Sequence, residues 1–214
     1  PVPLQGLLHF ASGLGIICIA YGILIEPYRL TTRLLEFQTS KVHGAVRLIH
    51  LTDLHIREWG ELEKGLISRV RGLGPDVILM TGDYTTVPGS IIAIERLFRE
   101  LSAIAPIFAS LGNCEYRRPI HLSMRMTGLT WLCNGKVDLK LGATAIQVFG
   151  VDAGDEEAFW RMGGEVDARA VAICLYHYPD FVPELPRIPY DLMLCGHTHG
   201  GQIRLPWIGA LISL

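Results

Sequence analysis

The sequence has no surplus of positive charge. Its 214 residues include 19 Lys and Arg against 21 Asp and Glu, which gives a formal net charge of −2 at pH 7. Domains that bind nucleic acid usually carry a basic patch or stripe that faces the phosphate backbone. The composition therefore argues against a nucleic-acid partner. Internal repeats and low-complexity segments are also lacking, so a repeat architecture is not expected.

Cysteine is scarce and shows no paired spacing. The five cysteines are Cys18, Cys114, Cys133, Cys174 and Cys195. An odd number without a repeated interval is not the pattern of a disulfide framework. We therefore expect free thiols and a reducing compartment.

Residues 4–25 contain no Asp, Glu, Lys or Arg. A run of 22 residues is enough for a helix that crosses the roughly 30 Å apolar core of a bilayer. A buried core helix and the apolar part of a signal peptide are the alternatives. A signal peptide ends at a small-residue cleavage site, however, whereas this run ends at Glu26-Pro27-Tyr28-Arg29. We expect a transmembrane anchor over residues 1–27 and a juxtamembrane linker over residues 28–44.

The charges of the linker predict the orientation of the anchor. Arg29, Arg33 and Lys41 stand against a single acid, Glu36. Basic flanks tend to stay on the cytoplasmic side, so we expect the rest of the chain at the cytoplasmic face of the cell membrane. A basic segment upstream of Pro1 would reverse this orientation.

Short apolar runs alternate with amphipathic segments after residue 44. The runs are rich in Val, Ile and Leu and end at turn residues, as buried strands do. They cover residues 45–53, 76–83, 106–113, 145–152, 170–179 and 191–200. Residues 60–72 and 90–104 have apolar side chains at helical spacing. The alternation predicts an α/β domain over residues 45–214 with a largely buried sheet.

Nearly every predicted strand ends in a polar cluster. Ligands bind at the carboxyl ends of the strands in open α/β sheets, so these clusters should converge on one site. They supply two carboxylates, one amide and four imidazoles: Asp53, His55, Asp83, Asn113, His177, His197 and His199. Singly, each Asp could be a turn or helix cap and each His a surface or core residue. Chance would seldom place all seven just past apolar strands in this order.

This donor set predicts a dinuclear metal site. Oxygen and imidazole donors without thiolate suit manganese, iron or zinc better than calcium. Seven ligands are too many for one catalytic ion with an open position, but they suit two ions about 3.5 to 4 Å apart that share a carboxylate. We expect two divalent ions, with manganese ahead of iron or zinc. Such a pair activates a bridging hydroxide for an in-line phosphoryl displacement, so the predicted reaction is phosphoester hydrolysis.

Five short motifs carry a family resemblance. In order, "DLH", "GDY", "GNCE", "YHYP" and "GHTHGGQ" resemble the D-x-H, G-D, G-N-H-(D/E), H and G-H-x-H motifs of the calcineurin-like metallophosphoesterases. The apolar segment, with "IEP" after it and "GGQIRLP" near the end, is similar to the membrane-associated branch. That branch includes the YkuE-type phosphoesterases and a group of UDP-2,3-diacylglucosamine pyrophosphatases. The resemblance covers residues 45–204.

The resemblance implies a fold. Members of the family form a four-layer α/β/β/α sandwich, which agrees with the alternation of predicted strands and helices. Their strands normally continue well past the last motif, whereas this chain ends at Leu214, fifteen residues after His199. We therefore expect the domain to be incomplete at its C-terminus.

The resemblance also implies a role for each donor. The first metal would be bound by Asp53, His55 and His199. The second metal would be bound by Asn113, His177 and His197. The residue that bridges the two ions would be Asp83. The catalytic residues of the third motif would be Asn113, Cys114 and Glu115.

Cys114 stands where the family has a histidine that contacts the scissile phosphate and assists the leaving group. A thiol has an unperturbed pKa of about 8.5 and is neutral when protonated, so it cannot supply the charge of an imidazolium. General-acid assistance is typically worth about 10²- to 10⁴-fold, and its loss matters most for a poor leaving group. The substitution favours a diphosphate or an activated diester as substrate, with a nucleotide-linked lipid as the leading candidate.

Three other interpretations of Cys114 stay open. The thiol could be a nucleophile, or His121, Arg117 or Arg118 could take over the role of the histidine. The domain could also be an inactive, membrane-tethered metal-binding scaffold. Arg57 and the two arginines after Cys114 lie beside motifs and could hold phosphate oxygens through paired hydrogen bonds. Solvated loop charges are the alternative interpretation for these arginines.

Overall fold

The charge-free run near the N-terminus forms one helix, α1 (Leu4–Leu24). The structure is a computed structural model that describes residues 3–85, 87–117, 129–201, 203–205 and 209–212. None of the residues of α1 is buried, and a 3₁₀ helix follows at Glu26–Tyr28. Together they are long and apolar enough to cross a membrane, a property that signal sequences share. This helix lies in a first compact unit, residues 1–36, and residues 37–214 form a second.

The first sheet of the second unit, sheet A, is built from strands that alternate with helices. Its strands are β1 (Leu48–Leu51), β2 (Val77–Thr81), β3 (Ile107–Ser110) and β4 (Leu129–Trp131). The connecting helices are α2 (Glu61–Leu73), α3 (Ile91–Ser102) and the short α4 (Asn113–Arg117). The order is β1-β2-β3-β4 and every pair is parallel, because a crossover helix returns the chain to the same end of the sheet.

The second sheet, sheet B, is mixed. Its strands are β5 (Gly135–Leu141), β6 (Thr144–Val151), β7 (Val171–Tyr176) and β8 (Leu192–Leu194). Helix α5 (Glu156–Gly163) connects β6 to β7, and the 3₁₀ helix Pro179–Arg187 lies between β7 and β8. β5 and β6 form an antiparallel hairpin, whereas the other pairs are parallel. A two-stranded ribbon follows, formed by β9 (Ile203–Leu205) and β10 (Gly209–Ile212).

Alternate side chains of the strands enter different cores, which sets the order of the layers. On β2, Ile78 and Met80 pack with α2 and α3, whereas Val77 and Leu79 pack against sheet B. The facing residues of sheet B belong to β6 and β7, and the opposite faces of these strands pack with α5. A period of two places successive side chains on opposite faces of a strand. The layers are therefore helices, sheet A, sheet B and helices, which confirms the predicted α/β/β/α fold class.

The N-terminal segment of the second unit is attached to sheet B. The Lys41 ammonium lies 2.7 Å from an Asp191 carboxylate oxygen at the start of β8, and the two side chains are largely buried. The backbone N–H of His43 donates to Thr144 Oγ1 at 2.8 Å. Lys41, which the sequence analysis counted among the basic flanking charges, is thus paired within the domain.

The predicted strands and helices all occur, but several of the strands are shorter than their apolar runs. The run 191–200 contributes only Leu192–Leu194 to a strand, because the rest is a loop that carries two histidines. The sequence analysis missed the strands β4, β5, β9 and β10 and the helices α4 and α5. In β5 the residues alternate between half-buried and exposed, as in an edge strand with one solvated face. Such a strand lacks the continuous apolar run that identified the others.

Gly150 provides a test of the packing between the sheets. A Cβ atom at this position on β6 would collide with the Cβ and carbonyl of Leu132, which follows β4. Gly150→Ala should therefore lower the free energy of unfolding by about 1 to 3 kcal/mol, the usual cost of overpacking. Urea unfolding of the purified chain, followed by tryptophan fluorescence, measures the change.

The matched control is Gly72→Ala in α2, where a Cβ meets no atom within 4 Å. Alanine at an exposed helical position should instead stabilise the chain by about 0.5 to 1 kcal/mol. Equal stability of Gly150→Ala and the parent would contradict the close approach of the two sheets.

Candidate metal centre

The seven predicted donors all follow strands whose carboxyl ends meet at one edge of the sandwich. Asp53 and His55 come after β1, Asp83 after β2 and Asn113 after β3, all in sheet A. The other three donors follow strands of sheet B, with His177 after β7 and both His197 and His199 after β8. Loops from two sheets thus converge on a single site.

The backbone at five of these donors is left-handed. Among the described residues, six that are not glycine have a positive φ, and five of them are Asp53, His55, Asp83, His197 and His199, with φ from 42° to 72°. Such residues cost on the order of 1 to 3 kcal/mol each and concentrate at functional sites. Local hydrogen bonds hold the conformation: Asp53 N–H donates to Gly82 O at 3.1 Å, and His55 N–H donates to Asp83 O at 3.0 Å.

One group of donors matches the predicted first metal. The Nε2 atoms of His55 and His199 lie 3.1 Å apart with stacked rings. His199 Nε2 lies 3.5 Å from Asp53 Oδ1. Each of these three residues offers one ligand atom, and the three atoms lie within 4.8 Å of one another. A single cation can therefore contact all three side chains.

A second group surrounds His177. Its Nδ1 donates to the carbonyl of Thr81 at 2.6 Å, which leaves Nε2 as the lone-pair nitrogen of the neutral ring. This Nε2 faces two oxygens, Asn113 Oδ1 at 3.1 Å and Asp83 Oδ1 at 3.5 Å. A lone pair that faces two acceptors is repelled unless a proton or a metal ion lies between them. The donors therefore fit a cation at this position.

His197 approaches the second group from the side. Its backbone N–H donates to both carboxylate oxygens of Asp53 at 3.0 Å, and its ring lies 5.2 Å from the His177 ring. The three groups of His, Cys, Asp and Glu ligand atoms within 4.8 Å that the described residues form do not include it. Of the six predicted histidine and aspartate donors, it alone belongs to none of these groups.

Asp83 lies between the two groups. Its Oδ1 is 3.5 Å from His177 Nε2, and its Oδ2 is 3.8 Å from His55 Nε2. Each oxygen of one carboxylate thus faces a different set of imidazoles. This is the arrangement that a carboxylate shared by two ions requires.

The protonation equilibria are consistent with a carboxylate among imidazoles. Burial acts to raise the pKa of Asp83, but hydrogen bonds with His177 and Cys114 outweigh it and lower that pKa. Burial acts to lower the pKa of His177, but its hydrogen bond to Asp83 raises it. Burial lowers the pKa of His55 and of His197. The lowered pKa values favour an ionised carboxylate and neutral imidazoles, which are the forms that bind a metal ion, whereas the raised pKa of His177 favours a proton on its Nε2 where no cation is bound.

Cys114 points at the Asp83 carboxylate. Its backbone N–H donates to Asp83 Oδ1 at 2.9 Å, and its thiol donates to Oδ2 at 3.2 Å. Burial, the hydrogen bond to Asp83 and its charge raise the pKa of Cys114 to about 12. The thiol is therefore protonated as long as no cation is bound near it.

Glu115 binds the backbone of the two loops that carry Asp83 and Asn113. Its carboxylate is fully buried and accepts backbone N–H groups from Asp83 at 2.8 Å, Tyr84 at 2.9 Å and Gly112 at 3.0 Å. A Cβ atom on Gly112 would collide with the carboxylate and backbone nitrogen of Asp83, so only glycine permits this approach. The loops after β2 and β3 are thereby joined. The predicted catalytic role of Glu115 stays a prediction, and its contacts are those of a positioning residue.

The sequence analysis missed two supporting side chains. The Tyr84 hydroxyl accepts from Gly82 N–H at 2.9 Å and donates to Ser110 O at 2.6 Å, so it connects the same two loops. His50 Nε2 forms a 2.7 Å hydrogen bond with the hydroxyl of Thr81, whose carbonyl binds His177. An aromatic residue directly after Gly-Asp, and a His within an apolar run, were the available signals.

The arginines named as phosphate contacts are placed only in part. Arg57 and Arg117 are exposed, and Arg117 ends α4, the helix that contains Cys114. Arg118 and His121 lie outside the described residues.

Comparison with known proteins supplies the family. The profile of the "Calcineurin-like phosphoesterase" family matches residues 46–201. The chain belongs to this family. That match spans all seven donors, and it confirms the resemblance that the five motifs indicated.

Relatives of this calcineurin-like phosphoesterase support the branch. It is 33% identical over 181 residues to the phosphodiesterase YaeI of Escherichia coli, and the aligned segment covers 76% of this chain and 64% of YaeI. It is 29% identical over 224 residues to the uncharacterized metallophosphoesterase YkuE of Bacillus subtilis, covering 97% of this chain and 76% of YkuE. It is 24% identical over 245 residues to the UDP-2,3-diacylglucosamine pyrophosphatase LpxG of Chlamydia trachomatis, covering 86% and 73%. The chain thus spans about two thirds to three quarters of the length of these relatives.

Glu115→Gln tests the support beneath Asp83. The amide places an N–H₂ group among backbone N–H donors, so at least one buried donor loses its acceptor, at a cost of about 1 to 3 kcal/mol. Because Asp83 would be less well held, metal affinity should also fall about 10- to 100-fold. Urea unfolding and competition with a metal indicator measure the two effects. The control Glu100→Gln removes only an exposed pair with Arg96 and should stay within about 0.5 kcal/mol of the parent. Parental stability and affinity in Glu115→Gln would contradict the positioning role.

His50 predicts a component of acid sensitivity. Burial lowers its pKa from 6.5 to about 4, against a smaller raising effect of Asp53. Between these values the unfolded chain binds a proton that the folded chain excludes, so the free energy of unfolding falls as the pH drops from about 6.5 through about 4. His50→Gln, which cannot titrate here, should reduce the loss between pH 7 and pH 4.5 by about 2 kcal/mol. Unfolding with a chelator present isolates this effect, with His43→Gln as the control. An unchanged pH dependence in His50→Gln would refute it.

Proposed function

We propose that the chain is a membrane-anchored, metal-dependent hydrolase that cleaves a phosphodiester or pyrophosphate bond. The observation that carries the proposal is the placement of Asp83, whose two oxygens face two different imidazoles, that of His177 at 3.5 Å and that of His55 at 3.8 Å. Membership of the calcineurin-like phosphoesterase family supports the same conclusion. The phosphodiesterase YaeI among its relatives agrees with a phosphoester substrate.

Two divalent cations would be held by the two donor groups, with manganese ahead of iron or zinc for the oxygen and imidazole ligands. Bound there, they would supply an activated water and neutralise the charge that develops on the phosphoryl oxygens. The protein holds the ligands ready for this role. Thr81 O fixes the tautomer of His177, so that its Nε2 faces the site. Asn113 offers Oδ1 on the same side, 3.1 Å from that nitrogen.

The third motif sets a limit on the leaving group. Cys114 occupies the position of the family histidine, and neither the thiol nor a thiolate carries the positive charge of an imidazolium. A departing alkoxide would lack assistance, whereas a phosphate monoester or an aryl oxide leaves without it. We therefore favour diphosphate or activated diester substrates. LpxG, a relative, is named for a diphosphate substrate that contains a diacylated sugar.

The apolar helix adds the membrane to the proposal. The candidate span Leu4–Tyr28 would anchor the chain, with the domain on the cytoplasmic side because Arg29 and Arg33 follow the helix. We assign residues 1–27 to the anchor, 28–44 to the linker and 45–214 to the catalytic domain. An anchored active site has ready access to lipid-borne substrates, which supports a nucleotide-linked lipid as the substrate.

Removal of the shared carboxylate tests the proposal. The parent with manganese should hydrolyse bis(p-nitrophenyl) phosphate, whose leaving group needs no acid. In Asp83→Ala, metal content should fall from two ions per chain towards one or none, and turnover should drop to below about one hundredth. Asp167→Asn, which alters exposed contacts with the side chain and backbone N–H of Arg169, is the matched control and should keep both properties. Two bound ions and full turnover in Asp83→Ala would refute the shared-carboxylate site. A parent that binds two ions without any turnover would instead support an inactive scaffold.

A further inference from the structure

Cys114 is held on one side of the shared carboxylate. Its backbone N–H and its thiol donate to the two different oxygens of Asp83, at 2.9 and 3.2 Å. Two donors from one residue fix the position of Sγ relative to that carboxylate. The sulfur lies beside Oδ2, which is also the oxygen that faces His55 at 3.8 Å.

Three donor atoms of different chemistry therefore meet at this point. A ring nitrogen of His55, a carboxylate oxygen of Asp83 and Cys114 Sγ all lie within 4.8 Å of one another. Zinc binds sulfur at about 2.3 Å and imidazole nitrogen at about 2.0 to 2.1 Å, so two such ligands on one ion lie at most about 4.4 Å apart. In tetrahedral geometry the two ligand atoms lie about 3.6 Å apart, so the three side chains would draw closer together as the ion binds.

His55 takes part in two groups of donors. One is formed with Asp53 and His199, and the other with Asp83 and Cys114. An ion bound to His55 is therefore offered a sulfur ligand in addition to oxygen and nitrogen. The group formed by Asp53, Asp83 and His177 contains oxygen and nitrogen donors without sulfur. Cys114 Sγ also lies 3.9 Å from Asn113, but from Nδ2 and not from the ligand atom Oδ1. The two metal positions thus differ in softness.

We propose that Cys114 is a ligand of the metal position that includes His55 and Asp83, and that it makes this position select a thiophilic dication such as zinc over manganese. The inference rests on the dinuclear centre proposed above and replaces manganese by zinc at one of its two positions. When the ion binds, a sulfur–metal bond forms and the thiol proton is released to solvent. Soft thiolate ligands favour zinc, whereas manganese prefers oxygen ligands.

Cobalt(II) provides a direct optical test, because a thiolate bound to cobalt gives an intense near-ultraviolet charge-transfer band. We expect this band when the parent chain is titrated with cobalt, and its loss in Cys114→Ser. Cys133→Ser is the matched control, since Cys133 is exposed and belongs to none of the donor groups. It should keep the band. The preference for zinc over manganese, measured by competition, should fall about 10- to 100-fold in Cys114→Ser.

X-ray absorption of the zinc-loaded parent needs no substitution, so it tests the inference even if Cys114→Ser fails to fold. A sulfur scatterer at about 2.3 Å supports it. Two bound cobalt ions without the charge-transfer band, a band that survives Cys114→Ser, or a zinc shell without sulfur overturns it while leaving the dinuclear centre intact. A parent chain that binds neither cobalt nor zinc overturns both this inference and the proposed function.

Discussion

The site depends on one electrostatic requirement: a cation or a proton must offset the repulsion between the Asp83 carboxylate and the lone pairs of the imidazoles that face it. His177 illustrates the constraint, because its Nδ1 is committed to Thr81 O and its Nε2 faces only oxygens. Without a cation, a proton has to take its place, and the raised pKa of His177 expresses this demand. The other features at this edge of the sandwich either bring these donors together or prevent them from moving apart.

This movement is prevented mainly by hydrogen bonds that join the loops carrying the predicted ligands. Glu115 collects three N–H groups from the loops after β2 and β3, and the Tyr84 hydroxyl joins the same loops a second time. The loop after β1 is joined to the loop after β2 by Asp53 and His55 N–H groups. These contacts hold the left-handed backbone at Asp53, His55 and Asp83. Parallel strands make the arrangement possible, because their carboxyl ends deliver successive loops to one edge.

The sequence predicted the elements in which local pattern and tertiary environment agree. Apolar runs such as 76–83 indicate buried strands, and amphipathic runs such as 90–104 indicate helices. Polar residues at the ends of the strands indicate the candidate donors. Strand β5 could not be found in this way, since its solvated face interrupts the apolar run. The contacts of Glu115 were also hidden, because a carboxylate that binds backbone N–H groups has no sequence signature beyond its position. The placement of Cys114 against Asp83 depends on how two loops from different strands meet, which no local pattern encodes.

The left-handed backbone restricts which amino acids can stand at the predicted metal ligands. Outside glycine, a positive φ is adopted most readily by Asn, Asp and His, and β-branched or bulky residues are strongly disfavoured there. At Asp53, His55, Asp83, His197 and His199 the chain geometry therefore admits almost only residues that are themselves oxygen or nitrogen ligands. Position 114 lies in a right-handed helix, where this restriction does not apply. The backbone at that position consequently permits exchange of histidine for cysteine, whereas it restricts the surrounding donor positions to a much smaller set of amino acids.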